Sequence, residues 1–212
     1  MIVTGELVTR LFQYRLPGGQ IFWEKILKNI TQLPRSYGNR EGSTLAIVIR
    51  HTTPADLPEL GRIEAVCFPA AEAASAETLR ERFEVFPEYF FTAEDGERPV
   101  GFINGMMTNR ATICDEMFST PAVHNPDGTR LAVLGLNVLP EYRRQGIARR
   151  LMEALLSQAR ADGKSGAVLT CKEHLIHYYE AFGYRRLGVS ASVHGGAVWY
   201  DMALVFPVHS AL

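Results

Sequence analysis

At 212 residues, with 47% apolar and 21% charged residues, the chain has the length and composition of a water-soluble globular domain with one sizeable core and room for an appendage. A net charge of −1 gives no electrostatic case for nucleic acid or an anionic membrane as partner. Cys67, Cys114 and Cys171 are scattered without Cys-x-x-Cys spacing, which argues against a disulfide frame or a metal site. No apolar run approaches the roughly 18 residues needed to cross a bilayer, and no signal-peptide core precedes the first charges. The expectation is a cytoplasmic protein, a monomer or homodimer, with no metal.

Residues 1–44 differ from the rest. Through Arg40 there are six Lys/Arg against two Asp/Glu, while the remainder carries 16 against 21. Phe22, Ile26, Ile30 and Leu33 recur at helical spacing between Pro17-Gly18-Gly19 and Pro34. One amphipathic helix in an N-terminal extension is expected, packed on its own domain or on a partner subunit, with a membrane-surface helix or a transit sequence as the alternative. Residues 45–212 read as a single domain. Ala46–Arg50 is a β-branched strand. Thr53 and Pro54 then open a helix whose apolar face is Leu57, Leu60, Ile63, Val66 and Cys67. Ser75 caps a second helix that Pro87 ends. Tyr89–Ala93 and Val100–Thr108 are strands joined at Asp95-Gly96, a strong hairpin signal. Gly101 and Gly105 mark a bulge or a close backbone approach. Asn109–Thr129 is a long loop of the kind that is often functional or mobile.

Leu131–Leu139 is almost unbroken apolar sequence, which suits a strand buried on both faces. A cationic turn, Arg143-Arg144-Gln145-Gly146-Ile147-Ala148, follows it. Apolar residues at 147/148, 151/152, 155/156 and 159 then trace a helical stripe. Helix N-termini leave N–H groups unpaired and carry partial positive charge, so this turn is a place to hold an anion such as phosphate. Arg143, Arg144, Arg149 and Arg150 add charge, although a solvated helix start would show the same residues. Ala167–Thr170 makes another buried strand, His174–Phe182 a short helix ended by Gly183, and Tyr184–Val189 and Ala197–Leu204 the final strands.

Arg143–Ala148 matches the Gln/Arg-x-x-Gly-x-Gly/Ala signature of the GCN5-related N-acetyltransferase (GNAT) superfamily, and Tyr178-Tyr179-Glu180-Ala181-Phe182-Gly183-Tyr184 matches its tyrosine motif. The sequence resembles the arylalkylamine (serotonin) N-acetyltransferase group most, through His124–Gly128, Val168–Cys171 and that tyrosine motif. The resemblance implies an α/β (α+β) GNAT fold. Its mixed, mostly antiparallel sheet of about 6–7 strands is flanked by helices, with acetyl-CoA in a V-shaped opening between central strands. It implies acetyl transfer to a small primary amine, an arylalkylamine or polyamine. A protein lysine or N-terminal acetyltransferase and a non-catalytic acyl-CoA sensor are the alternatives. It assigns Leu136, Asn137 and Val138, then Arg143, Arg144, Gln145, Gly146, Ile147, Ala148 and Arg149, to acetyl-CoA, and Tyr179 to protonation of the leaving thiolate. The histidines that this group places on its central strand are replaced by Ala132 and Leu134. Deprotonation is therefore left to another group, with His124, His174, His177, His194, Asp115 and Glu116 as candidates, to a water chain, or to an acceptor already neutral at working pH.

Overall fold

The computed structural model describes residues 47–207, so the helix expected within residues 1–44 lies outside the described residues. Seven strands form one open sheet: β1 (Val48–His51), β2 (Phe90–Asp95), β3 (Arg98–Thr108), β4 (Arg130–Val138), β5 (Gly166–Cys171), β6 (Arg185–Val189) and β7 (Tyr200–Val205), in the spatial order β1-β2-β3-β4-β5-β7-β6. Every neighbouring pair is antiparallel except β4 with β5. The mixed, mostly antiparallel sheet expected from the sequence is what the chain forms, and it is not closed.

The apolar run Leu131–Leu139 supplies the middle strand. Leu131, Ala132 and Val133 are buried, as are Phe102, Ile103, Met106 and Met107 on the neighbouring β3. The long helix after the turn, α4 (Ile147–Ala161), packs across β2, β3 and β4. It buries Ile147, Leu151, Met152, Leu155, Leu156 and Ala159, the stripe read from spacing. Each fully buried leucine there contributes about 1.5–3 kcal/mol of transfer free energy. The other helices are α1 (Leu57–Cys67), α2 (Ala76–Val85), α3 (Glu116–Ser119) and α5 (Ile176–Glu180).

Local chemistry modifies several expected boundaries. A 3₁₀ turn, Pro54–Asp56, precedes α1, and the Thr53 amide and hydroxyl both donate to Asp56 Oδ2, at 2.7 and 2.9 Å. Thr53 starts the helix as expected, but the Asp56 carboxylate does the capping. Ser75 Oγ accepts from the Thr78 amide at 3.0 Å, as a cap should. The helix expected over His174–Phe182 shortens to Glu173–Leu175 as 3₁₀ and Ile176–Glu180 as α. Gly183 at φ 91° ends it, and the Tyr184 amide turns back to the Tyr179 carbonyl at 3.4 Å. The loop before β4 carries α3 and a 3₁₀ turn, Pro121–Val123.

Candidate active site

Two irregularities of β4 create the site. Its parallel pairing with β5 stops at Ala132↔Val168, and beyond that point the strands part. On its other side the register with β3 shifts between Asn104↔Gly135 and Gly105↔Val133, leaving Leu134 as the extra residue of a bulge. Gly105 permits this approach: a Cβ there would lie 2.7 Å from the Ala132 carbonyl oxygen. The gap opens into a cavity of about 970 Å³, lined by Val133–Leu136 on one side and Leu169–Lys172 on the other. Pockets of about 300–1,000 Å³ suit small ligands and cofactors.

At one end of the cavity is the basic turn. Arg144 (φ 63°) and Gly146 (φ 79°) both adopt left-handed backbone, which glycine tolerates and arginine does so at some cost. No protein atom lies within 4 Å of where a Cβ of Gly146 would be, so its conformation demands the glycine more than crowding does. The Arg150 amide is the first to bond within the helix, to the Gly146 carbonyl at 3.1 Å. The amides of Ile147, Ala148 and Arg149 thus precede the helical ladder, where a phosphate can accept from them.

Leu136, Val138, Arg143, Arg144, Gly146, Ile147, Ala148, Arg149 and Tyr179 all line the cavity. Two residues expected with them do not. The buried Asn137 side chain donates to Glu64 Oε2 at 2.7 Å, and Gln145 Nε2 donates to the Glu141 carbonyl at 3.2 Å. What each can offer a cofactor is its backbone. Arg150 is directed to the Ile47 carbonyl at 2.9 Å, away from the turn. Arg143 Nε donates to the Val138 carbonyl at 2.9 Å, which fixes the turn to the end of β4.

Tyr179 lines the cavity from α5. Its ring meets Tyr178 and Tyr184 edge-on, at 5.1 and 6.1 Å between centroids. Burial, then the neighbouring Tyr178 and Cys171, push its phenol above the ordinary tyrosine range. It is therefore protonated throughout the physiological range and can act as an acid or hydrogen-bond donor, not as a phenolate base.

The histidine and acid candidates separate. His124 accepts the Met107 amide on Nδ1 at 3.2 Å and stacks on Phe86 at 5.0 Å, which is a packing role. His177 is exposed and pairs with Glu180 at 2.7 Å. Asp115 accepts from the Ser192 hydroxyl and from the Val193 amide, and Glu116 is exposed. Only His174 and His194 of these six line the cavity.

A carboxylate not singled out from the sequence joins them. Glu64 of α1 is 4% exposed and lines the cavity. Its Oε1 accepts from the Ala74 amide at 3.0 Å and its Oε2 from Asn137 Nδ2 at 2.7 Å. Burial raises its pKa above the usual carboxylate range; the Ala74 amide, the nearby Arg82 charge and Asn137 counter that only in part. A carboxylate shifted toward neutrality is suited to take a proton from an amine. The signal was in the sequence, a glutamate inside the apolar stripe Leu60, Ile63, Cys67. Helical spacing alone cannot tell such a residue from a surface one beside the stripe.

The loop between β6 and β7 brings His194 and Trp199 into the lining on the Glu64 side. Glu72, in the loop between α1 and α2, binds Lys172 Nζ through its carboxylate at 2.7 Å and His194 Nε2 through its carbonyl at 3.0 Å. His194 stacks on Phe118 at 4.4 Å, and its carbonyl accepts Trp199 Nε1–H at 2.9 Å. Lys172 Nζ sits 4.1 Å from the Trp199 ring centroid. This part of the cavity thus has aromatic side chains and one buried carboxylate in its lining.

The sequence profile of the acetyltransferase (GNAT) family matches residues 57–184. The chain is 33% identical over 123 residues to "Probable hydrolase YhcX" of Bacillus subtilis (strain 168), covering 54% of this chain and 24% of that one. It is 28% identical over 123 residues to human "N-acetyltransferase 8", covering 57% of this chain and 47% of that one. The chain therefore spans less than half the length of either curated relative. Among solved structures, a GphF GNAT-like decarboxylase in complex with isobutyryl-CoA superposes with a TM-score of 0.65 at 23% identity, over 74% of this chain and 98% of that one. With the parted central strands, the glycine turn at the head of α4 and a matching profile over more than half its length, the chain belongs to the acetyltransferase (GNAT) family.

Proposed function

We propose that the protein transfers acetyl from acetyl-CoA to a small primary amine, the arylalkylamine-like reading of the sequence. The observation that carries this is the buried Glu64 carboxylate, set in a cavity beside aromatic side chains. The Glu72 bridges to Lys172 and His194 tie the loop after α1 to the end of β5 and to the loop after β6. Phe118 and Trp199 with Phe68 give the cavity aromatic walls that suit an aryl acceptor. In this reading the two bridges narrow the entrance against an extended peptide.

In this reading the amides of Ile147, Ala148 and Arg149, with Arg143 and Arg144, hold the pyrophosphate. Bound acetyl-CoA supplies the thioester. The β4 backbone beyond Ala132, released from β5, offers hydrogen bonds to the thioester oxygen; removing such a donor typically costs on the order of 100- to 1,000-fold in rate. Glu64 takes the ammonium proton, directly or through a water. As the N–C bond forms and the C–S bond breaks, Tyr179 donates a proton to the departing sulfur. The three cysteines are free thiols, which supports a cytoplasmic setting. No described helix is long and apolar enough to cross a membrane.

Release of CoA thiol on a panel of arylalkylamines, polyamines and peptides tests the proposal. Turnover concentrated on the small amines is expected. Acetyl-CoA binding without turnover on any acceptor would instead make the chain a sensor.

A further inference from the structure

Resting on the small-amine reading, we infer that the acceptor carries a carboxylate beside its amine, so that the substrate class is a free amino acid, with Arg82 as the residue that selects it. Arg82 projects from α2, is 3% exposed and lines the same cavity as Glu64. One terminal nitrogen donates to the Phe118 carbonyl at 2.9 Å and the other makes only a long 3.5 Å contact to Asn104 Oδ1. Its Nε–H has no partner, nor has the adjacent Asn104 Nδ2. Among the described residues no carboxylate approaches the guanidinium within the 4.0 Å of an ion pair.

A buried guanidinium without a counter-ion is unusual, because removing charge from water is costly unless an anion or a full set of acceptors replaces the lost hydration. Here that cost shows as a pKa lowered to about 10, with burial as its main cause. Glu64 is the nearest opposite charge, and each side chain feels the other's field, yet the two do not touch. Glu64 spends its oxygens on the Ala74 amide and Asn137, and so does not neutralise Arg82. The cavity therefore presents one buried acid and one buried guanidinium that do not pair with each other, and of the two only Arg82 has a polar atom without a partner.

A zwitterion suits both. An ammonium beside Glu64 and a carboxylate on the free Nε–H edge of Arg82 would neutralise the two groups together, with the aromatic walls left for the side chain. One guanidinium with one unused edge matches a singly charged carboxylate. A peptide N-terminus or a plain arylalkylamine provides the ammonium alone and leaves Arg82 unpaired.

The test uses the full chain, acetyl-CoA and matched acceptor pairs: phenylalanine, tryptophan and leucine, each with its decarboxylated amine and its carboxamide. CoA release is read as kcat/KM per unprotonated amine. For at least one set, the amino acid should exceed both analogues by roughly 100-fold, since an analogue that lacks the partner of a buried polar group is strongly rejected. Arg82→Gln should erase that preference by raising KM for the amino acid while changing the decarboxylated amine less than about 10-fold. Arg82→Lys should restore part of it. A purely structural Arg82 would lower all three acceptors together, which would overturn the inference. Equal or better turnover of the amines or amides by the wild-type protein would also overturn it and leave the small-amine reading intact; that comparison needs no variant to fold. Turnover of peptide N-termini with none on any pair would overturn both.

Discussion

In the proposed reaction Glu64 and Tyr179 divide the proton chemistry, and their environments suit each to its part. Burial raises both pKa values. A raised carboxylate becomes a better base near neutrality, whereas a raised phenol becomes a proton held in reserve. In a pH profile, kcat/KM should fall as pH drops through the raised Glu64 pKa, because only the ionised form accepts a proton. Glu64→Gln should lower kcat roughly 100- to 10,000-fold and remove that acidic limb. Its fold should survive. A glutamine can still accept the Ala74 amide, and Asn137 has an unused Oδ1 to turn toward the new amide nitrogen. By the same linkage, a buried carboxylate of raised pKa is a burden above its unfolded value of about 4.3. The variant should therefore be no less stable than wild type in urea at pH 7. Tyr179→Phe should lower kcat roughly 10- to 1,000-fold with acetyl-CoA affinity nearly unchanged; an unaltered kcat would remove Tyr179 from the chemistry.

Among the elements, β4 shows how local sequence and its neighbours share the work. Its apolar run predicts a central strand, and the glycine at 105 predicts the irregularity beside it. That Leu134 would be the bulged residue depends on where β3 places Asn104 and Gly105, which no pattern within β4 records. The entrance to α1 illustrates a different support. Arg50 on β1 binds Asp56 at 2.7 and 2.9 Å and also Glu94 on β2, so one side chain ties helix start to two strands. The Arg50 hydrogen bonds hold the Asp56 carboxyl below the usual carboxylate range. A depressed pKa contributes stability that is present above the unfolded value of 3.8 and lost as pH falls through the folded one. Asp56→Asn should cost about 1.5–3 kcal/mol at pH 7, an effect that shrinks below pH 3.8. Urea unfolding across that pH range measures it.

At the scale of the molecule, the cofactor half of the site was legible in the chain order of strand, basic glycine turn and amphipathic helix, because those contacts are local and largely made by backbone. The acceptor half was not. Glu64, Arg82, Phe118, Lys172, His194 and Trp199 come from five separate stretches, and only folding brings them to one cavity. Two buried polar side chains on otherwise ordinary amphipathic helices carry no spacing that marks them. The histidines that chemistry suggested lie mostly on the outside or in packing, while the loop after β6, which reads as a plain turn at His194-Gly195-Gly196, becomes a wall. Function on this fold follows from what that wall admits. The measurement that bears most directly on it compares kcat/KM for one small primary amine acceptor, free and as the N-terminus of a ten-residue peptide, at a single acetyl-CoA concentration. The small-amine reading predicts at least a 100-fold loss on attaching the peptide; equal or faster transfer to the peptide would contradict it.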